Sequence, residues 1–88
     1  MKITFDPNKA ATNYRKHGIR FSDAEPVLFD PLALTCEDKD ADGEQRFVSI
    51  GGDAVGRVLV VVFTCRGEDI RLISARPATV KERECYES

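Results

Sequence analysis

The side chains best suited to chemistry are five arginines on or beside short apolar runs: Arg46, Arg57, Arg66, Arg71 and Arg76. A guanidinium group presents a planar fork of donors that fits a phosphate in pairs. Arg46 opens one run, Arg57 and Arg66 flank the most apolar run, and Arg71 and Arg76 lie on the next. Arg57 and Arg66 read as solubilising residues at hairpin ends. Glu44, close to Arg46, is the best-placed candidate general base; the plainer reading is an ion pair with a neighbouring arginine. His17 is the only histidine, a side chain type that exchanges a proton near neutral pH. Lys16 beside it is a candidate anion contact, and Tyr86 offers a phenol and a flat ring. Cys36, Cys65 and Cys85 are too far apart in sequence for a Cys-x-x-Cys pair, and one histidine cannot complete a His/Cys cluster. Neither a metal nor an organic cofactor is expected. Three reduced, mostly packed thiols suit a cytoplasmic protein.

These residues need elements to hold them. With 88 residues, a single domain over 1–88 is expected. A content of 42% hydrophobic and 32% charged residues supports a core and excludes a chain disordered by composition. The longest apolar run, Val58 to Phe63, is strand length, so no membrane segment is expected. The net charge of −2 is unevenly spread: residues 1–29 carry +2, 30–55 carry −5 and 56–88 carry +1. The acidity gathers around Glu37-Asp38-Lys39-Asp40-Ala41-Asp42, which reads as a solvated loop. The two ends of the chain are left to build a basic face.

Ile3 to Phe5 reads as a first strand. Asp6-Pro7 then starts a helix, with Asp as N-cap and Pro in the first turn, and Gly18 ends it after Arg15-Lys16-His17. Ser22 and Glu25 have the spacing of a capping box, with Phe21 as a staple, for a second helix ending before Asp30-Pro31. Strands follow at Leu32 to Cys36, Gln45 to Gly51, Arg57 to Arg66 and Asp69 to Arg76. The third of these is apolar on both faces and should be central. Strict alternation along Ile70 to Arg76 puts Leu72, Ser74 and Arg76 on one face and Arg71, Ile73 and Ala75 on the other. Arg71 and Arg76 are thus expected to start on opposite faces, although a twisted edge or strand end can bring them nearer. Thr79 and Glu82 form a second capping box, opening a last helix. The order β-α-α-β-β-β-β-α predicts an α+β domain: an antiparallel sheet with helices on one side or end.

Four segments resemble the BrnT family of ribonuclease toxins. They are Phe5-Asp6-Pro7-Asn8-Lys9 with Asn13 and Lys16-His17-Gly18-Ile19-Arg20-Phe21; Gly43-Glu44-Gln45-Arg46-Phe47; Gly56-Arg57-Val58-Leu59-Val60-Val61; and Ile70-Arg71-Leu72-Ile73-Ser74-Ala75-Arg76 with Glu82-Arg83-Glu84 and Tyr86. They occur in the family's order over nearly the whole chain. The family usually carries Trp where this chain has Phe5, which keeps an aromatic ring and drops an indole donor.

The resemblance implies a RelE-like fold, RNA cleavage and neutralisation by a BrnA-like antitoxin; metal-independent attack by the ribose 2′-hydroxyl is expected because no carboxylate–histidine cluster suits a catalytic metal. That antitoxin's other end would be a ribbon-helix-helix, giving two toxins and two antitoxins per complex. Contact with DNA would then run only through the antitoxin. On this reading Glu44, Arg46, Arg71, Arg76 and His17 are the catalytic candidates. Lys16, Phe5 and Tyr86 are the substrate-binding ones, Tyr86 as an acid or a stacking platform. A non-catalytic binding or assembly module is the competing reading, favoured by the acidic net charge.

Overall fold

The computed structural model describes residues 1–40 and 42–88; Ala41, in the expected acidic loop, lies outside them. Five strands form one sheet: β1 (Ile3–Thr4), β2 (Leu34–Asp38), β3 (Arg46–Gly52), β4 (Val58–Arg66) and β5 (Asp69–Pro77). Their order is β1-β5-β4-β3-β2, so the most apolar strand, β4, is central as its sequence requires. β2 to β5 pair antiparallel in sequence order. The sheet is nevertheless mixed: β1 returns to lie parallel to β5, with Ile3 opposite Ile70 and Thr4 opposite Arg71.

Helix α1 (Pro7–His17) begins where expected. The Asp6 carboxylate accepts from the Asn8 amide at 2.8 Å, and Gly18, at φ 72°, closes the end. The second helix differs from its expected form. α2 spans only Phe21–Ala24, has Arg20 at its N-cap without a side-chain cap, and tightens into a 3₁₀ turn over Glu25–Phe29. Ser22 therefore does not form the expected capping box. Pro26 has no amide hydrogen for an α-helical bond, which favours the tighter turn. Phe21 is buried in the core instead of acting as an outer staple. Helix α3 (Val80–Glu87) does carry its capping box, Thr79 with Glu82.

One face of the sheet holds the core. Leu59, Val61, Phe63, Leu72 and Ala75 pack there against Ile19, Phe21, Ala24 and Val27 of the helical segment. Asn13 is buried at the seam, donating to the carbonyls of Ala75 (2.8 Å) and Ile19 (3.1 Å) and accepting from the Ala75 amide (3.1 Å). Its side-chain amide thus takes the place of a missing strand on the outer edge of β5 and fixes α1 there. The three cysteines are exposed, contrary to the expectation that they are mostly packed. Cys36 lies on an edge strand, Cys65 near the end of β4, and Cys85 on a helix with no buried residue.

Candidate functional site

The second face of the sheet carries the arginines. Val62 pairs with Ser74, but Phe63 pairs with Leu72, so Ile73 is an extra residue in β5. Such a bulge reverses the alternation downstream of it. Opposed residues on neighbouring strands share a face, and Arg71 opposes Thr64 while Arg76 opposes Val60. Thr64 and Val60 are four residues apart on one strand, so Arg71 and Arg76 point the same way. The expectation that they start on opposite faces is corrected by this single bulge.

Arg46 joins them. The register Phe47↔Phe63 puts Arg46 across β4 from Arg71, level with Thr64, while Asp38 opposes Arg46 on the outer side. One row therefore runs Asp38, Arg46, Thr64, Arg71. With strands about 4.8 Å apart, the two arginines stand about 10 Å apart at Cα, a span their side chains can close over the small threonine. Thr64 is 1% exposed and donates through its hydroxyl to the Gln45 carbonyl at 2.6 Å, tying β4 to the residue before Arg46. The Nε of Arg46 is shielded from solvent and has no hydrogen-bond partner among the described residues. An unused, shielded donor is costly to keep unless a ligand takes it.

Glu44 lies at the same end of the sheet. Its carboxylate is 3.0 Å from Arg66, in an ion pair with both side chains largely exposed. The plainer expectation for Glu44, an ion pair, is thus what the structure contains, although the partner is Arg66 and not Arg46.

Arg76 is engaged otherwise. Its two terminal nitrogens donate to the two oxygens of Glu82, both at 2.8 Å, and one also donates to the Pro77 carbonyl. Arg76 and the Thr79 amide hold the Glu82 carboxyl down at about 2. Tyr86 is likewise committed: its hydroxyl donates to Asp30, which also accepts from the Gly52 and Leu32 amides. The Gly52 amide, with the Tyr86 hydroxyl and the Leu32 amide, holds Asp30 below the usual carboxylate range, and Asp30 pushes the phenol up. A Cβ on Gly52 would stand 3.3 Å from the Tyr86 oxygen, so β3 passes close beneath α3. Arg76 and Tyr86 together dock α3 on the second face, away from the Arg46–Arg71 row.

The remaining candidates lie elsewhere. Phe5 packs edge-on against Phe21, centroids 5.4 Å apart, on the core side of the sheet. Lys16 and His17 line a groove of about 310 Å³ between α1 and β5, with Ile73 and Ser74 as its other wall. Sequence reasoning missed Thr64, Asp30 and Asn13. A lone polar residue following the apolar run Val58–Phe63 was a usable signal for Thr64. Asp30 reaches Gly52 and Tyr86, and Asn13 reaches Ala75, all remote in sequence, so no local pattern assigned them these roles. Among the described residues no three His, Cys, Asp or Glu side chains converge to hold a metal, and no helix is long and apolar enough to cross a membrane.

The fold that carries this row has a counterpart among solved structures. The 1.1 Å crystal structure of the Brucella abortus ribonuclease toxin BrnT matches with a TM-score of 0.72 and 33% identity, covering 90% of this chain and 97% of that one. The fold is therefore that of a RelE-like α+β endoribonuclease toxin. The family described as ribonuclease toxin, BrnT, of type II toxin–antitoxin systems matches residues 5–82, and the chain belongs to that family. No curated protein matches the sequence.

Proposed function

We propose that this toxin cleaves RNA by attack of a ribose 2′-hydroxyl on the adjacent phosphorus, with Arg46 and Arg71 gripping the phosphate. The observation that carries this reading is the Ile73 bulge, which turns Arg71 onto the face of Arg46 with only Thr64 between them. A new O2′–P bond forms and the P–O5′ bond breaks. Glu44 takes the 2′ proton, and a proton from solvent goes to the leaving 5′ oxygen, since His17 lies towards Val58 and Pro77, at the end of β4 opposite Thr64. Extra negative charge develops on the phosphoryl oxygens, where two preset guanidinium groups act most strongly. The products carry a cyclic phosphate and a 5′-hydroxyl.

The test is product analysis with antitoxin-free protein. Cyclic-phosphate ends, activity maintained in EDTA, and a large loss in Glu44→Gln are the expected results. Activity abolished by EDTA and restored by Mg²⁺ would overturn the mechanism.

A type II toxin has a cognate antitoxin. The cationic row supports a BrnA-like partner whose acidic and apolar segment covers it, since opposite charge speeds and orients docking. A ribbon-helix-helix at the partner's other end would give two toxins and two antitoxins, acting in the cytoplasm and touching DNA only through the antitoxin. Equal RNA cleavage by complex and released toxin would remove this account of inhibition.

A further inference from the structure

We propose that the groove between α1 and β5 is a second phosphate site, holding the RNA strand beside the cleaved linkage. The proposal rests on the ribonuclease reading above and extends it around the edge of the sheet. One wall is a single face of α1: Lys9, Asn13 and Lys16 follow at spacings of four and three. Seven residues make nearly two turns, so the two lysines stand about 10 Å apart along one side of the helix. The other wall is the bulge, Ile73 and Ser74. Ser74 opposes Val62, on the same face as Arg71 and Arg76. A strand leaving Arg71 thus passes Ser74 and meets the lysines within one strand's width.

Charge fixes the direction. α1 contains Lys9, Arg15 and Lys16 and no carboxylate. Among the described residues neither Lys9 nor Lys16 forms an ion pair. At the other end of the arginine row stands Asp38, on edge strand β2 next to Glu37, Lys39 and Asp40. A polyanion gripped by Arg46 and Arg71 is repelled at that edge and drawn to the α1 edge. The groove is also rigid, because Asn13 holds α1 to Ala75 through two hydrogen bonds. Lysine ammonium groups are point charges without a planar fork, so the groove recognises phosphodiester and not base identity.

The test uses the full chain carrying Lys9→Ala and Lys16→Ala together, with thermal melting to confirm folding. A Lys9→Gln/Lys16→Gln pair serves if the alanines fail to fold. The probe is a labelled single-stranded 2′-O-methyl oligonucleotide, which binds but offers no free 2′-hydroxyl, titrated over a salt series. Each lost phosphate contact lowers the slope of log K against log salt by about 0.7, so the pair should lower it by about 1.4. On cleavable RNA long enough to reach the groove, KM should rise several-fold with kcat held. On a ribodinucleotide, too short to reach the groove, the rise in KM should be smaller. Replacement of both lysines by arginine should restore binding.

An unchanged slope and KM overturn the proposal. So does an unchanged slope with weakened antitoxin binding, which would assign the groove to the protein partner. If the wild type cleaves neither substrate, or Arg46→Ala cleaves normally, the ribonuclease reading fails. The salt slope still decides the groove in that case.

Discussion

The two ends of the second sheet face carry the same residue type in opposite states. At one end Arg76 is held in a two-pronged pair with Glu82, beneath a helix pinned again by Tyr86 and Asp30. About 13 Å away along β4, four residues at the usual strand rise, Arg46 keeps a shielded Nε without a partner among the described residues. On the proposed reading, an arginine with a carboxylate already in its fork serves the scaffold. On the same reading, an arginine with an unused donor, facing a second arginine across a buried threonine, awaits an anion. Residue type and strand position do not separate the two; the partner does.

The sharpest way to break this comparison is to remove the open end. Arg46→Ala and Arg71→Ala should each lower RNA cleavage by about 10²–10³, the usual loss for one electrostatic stabiliser of a transition state. Their melting temperatures should stay near that of the wild type. Normal cleavage in both variants would sink the assignment of this row as the phosphate site.

The docked end should answer in stability. Glu82→Ala removes a helix cap and an ion pair, and should cost about 1–2 kcal/mol. For a domain this small, that lowers the melting temperature by roughly 5–15 °C. Arg76→Ala should fall in the lower part of this range, because the capping box survives. Cleavage by both should persist at temperatures where they remain folded. An unchanged melting temperature together with lost cleavage would move Arg76 into the catalytic row.

Acid should release the same contact. Glu82 ionises near 4.5 when unfolded and near 2 when folded. A depressed folded value means its contribution is fully present above about 4.5 and is lost as pH falls towards 2. The stability difference between wild type and Glu82→Gln should therefore be constant above that window and shrink within it. A difference that stays constant down to pH 2 would remove the electrostatic part of the account.

The smallest effect belongs to the phenol. Tyr86→Phe keeps the ring and removes one hydrogen bond to Asp30, and should cost about 1 kcal/mol. Since Asp30 still accepts from Gly52 and Leu32, its carboxylate stays satisfied. Urea unfolding monitored by circular dichroism is the measurement. A cleavage loss larger than the stability loss would give Tyr86 a role at the substrate.

The sequence by itself determined most of the elements and their kind, the second helix excepted. The β-branched run of β4 had to be buried on both faces, and so became the central strand. Asp6-Pro7 and Gly18 bounded α1, and Thr79 with Glu82 opened α3, because caps act within one turn of chain. The four resembling segments likewise indicated the family. Only the tertiary structure decided which arginines share a face. The alternation that separates Arg71 from Arg76 holds only while every residue of β5 has a partner, and Ile73 has none. A bulge is a matter of register against the neighbouring strand, and neither the local pattern nor the composition encodes it. The same holds for the choice between scaffold and site. Glu82 is six residues from Arg76, and Asp30 is 56 from Tyr86. Whether a charged or polar group is already satisfied depends on what folding brings to it, and that separated Arg76 and Tyr86 from Arg46.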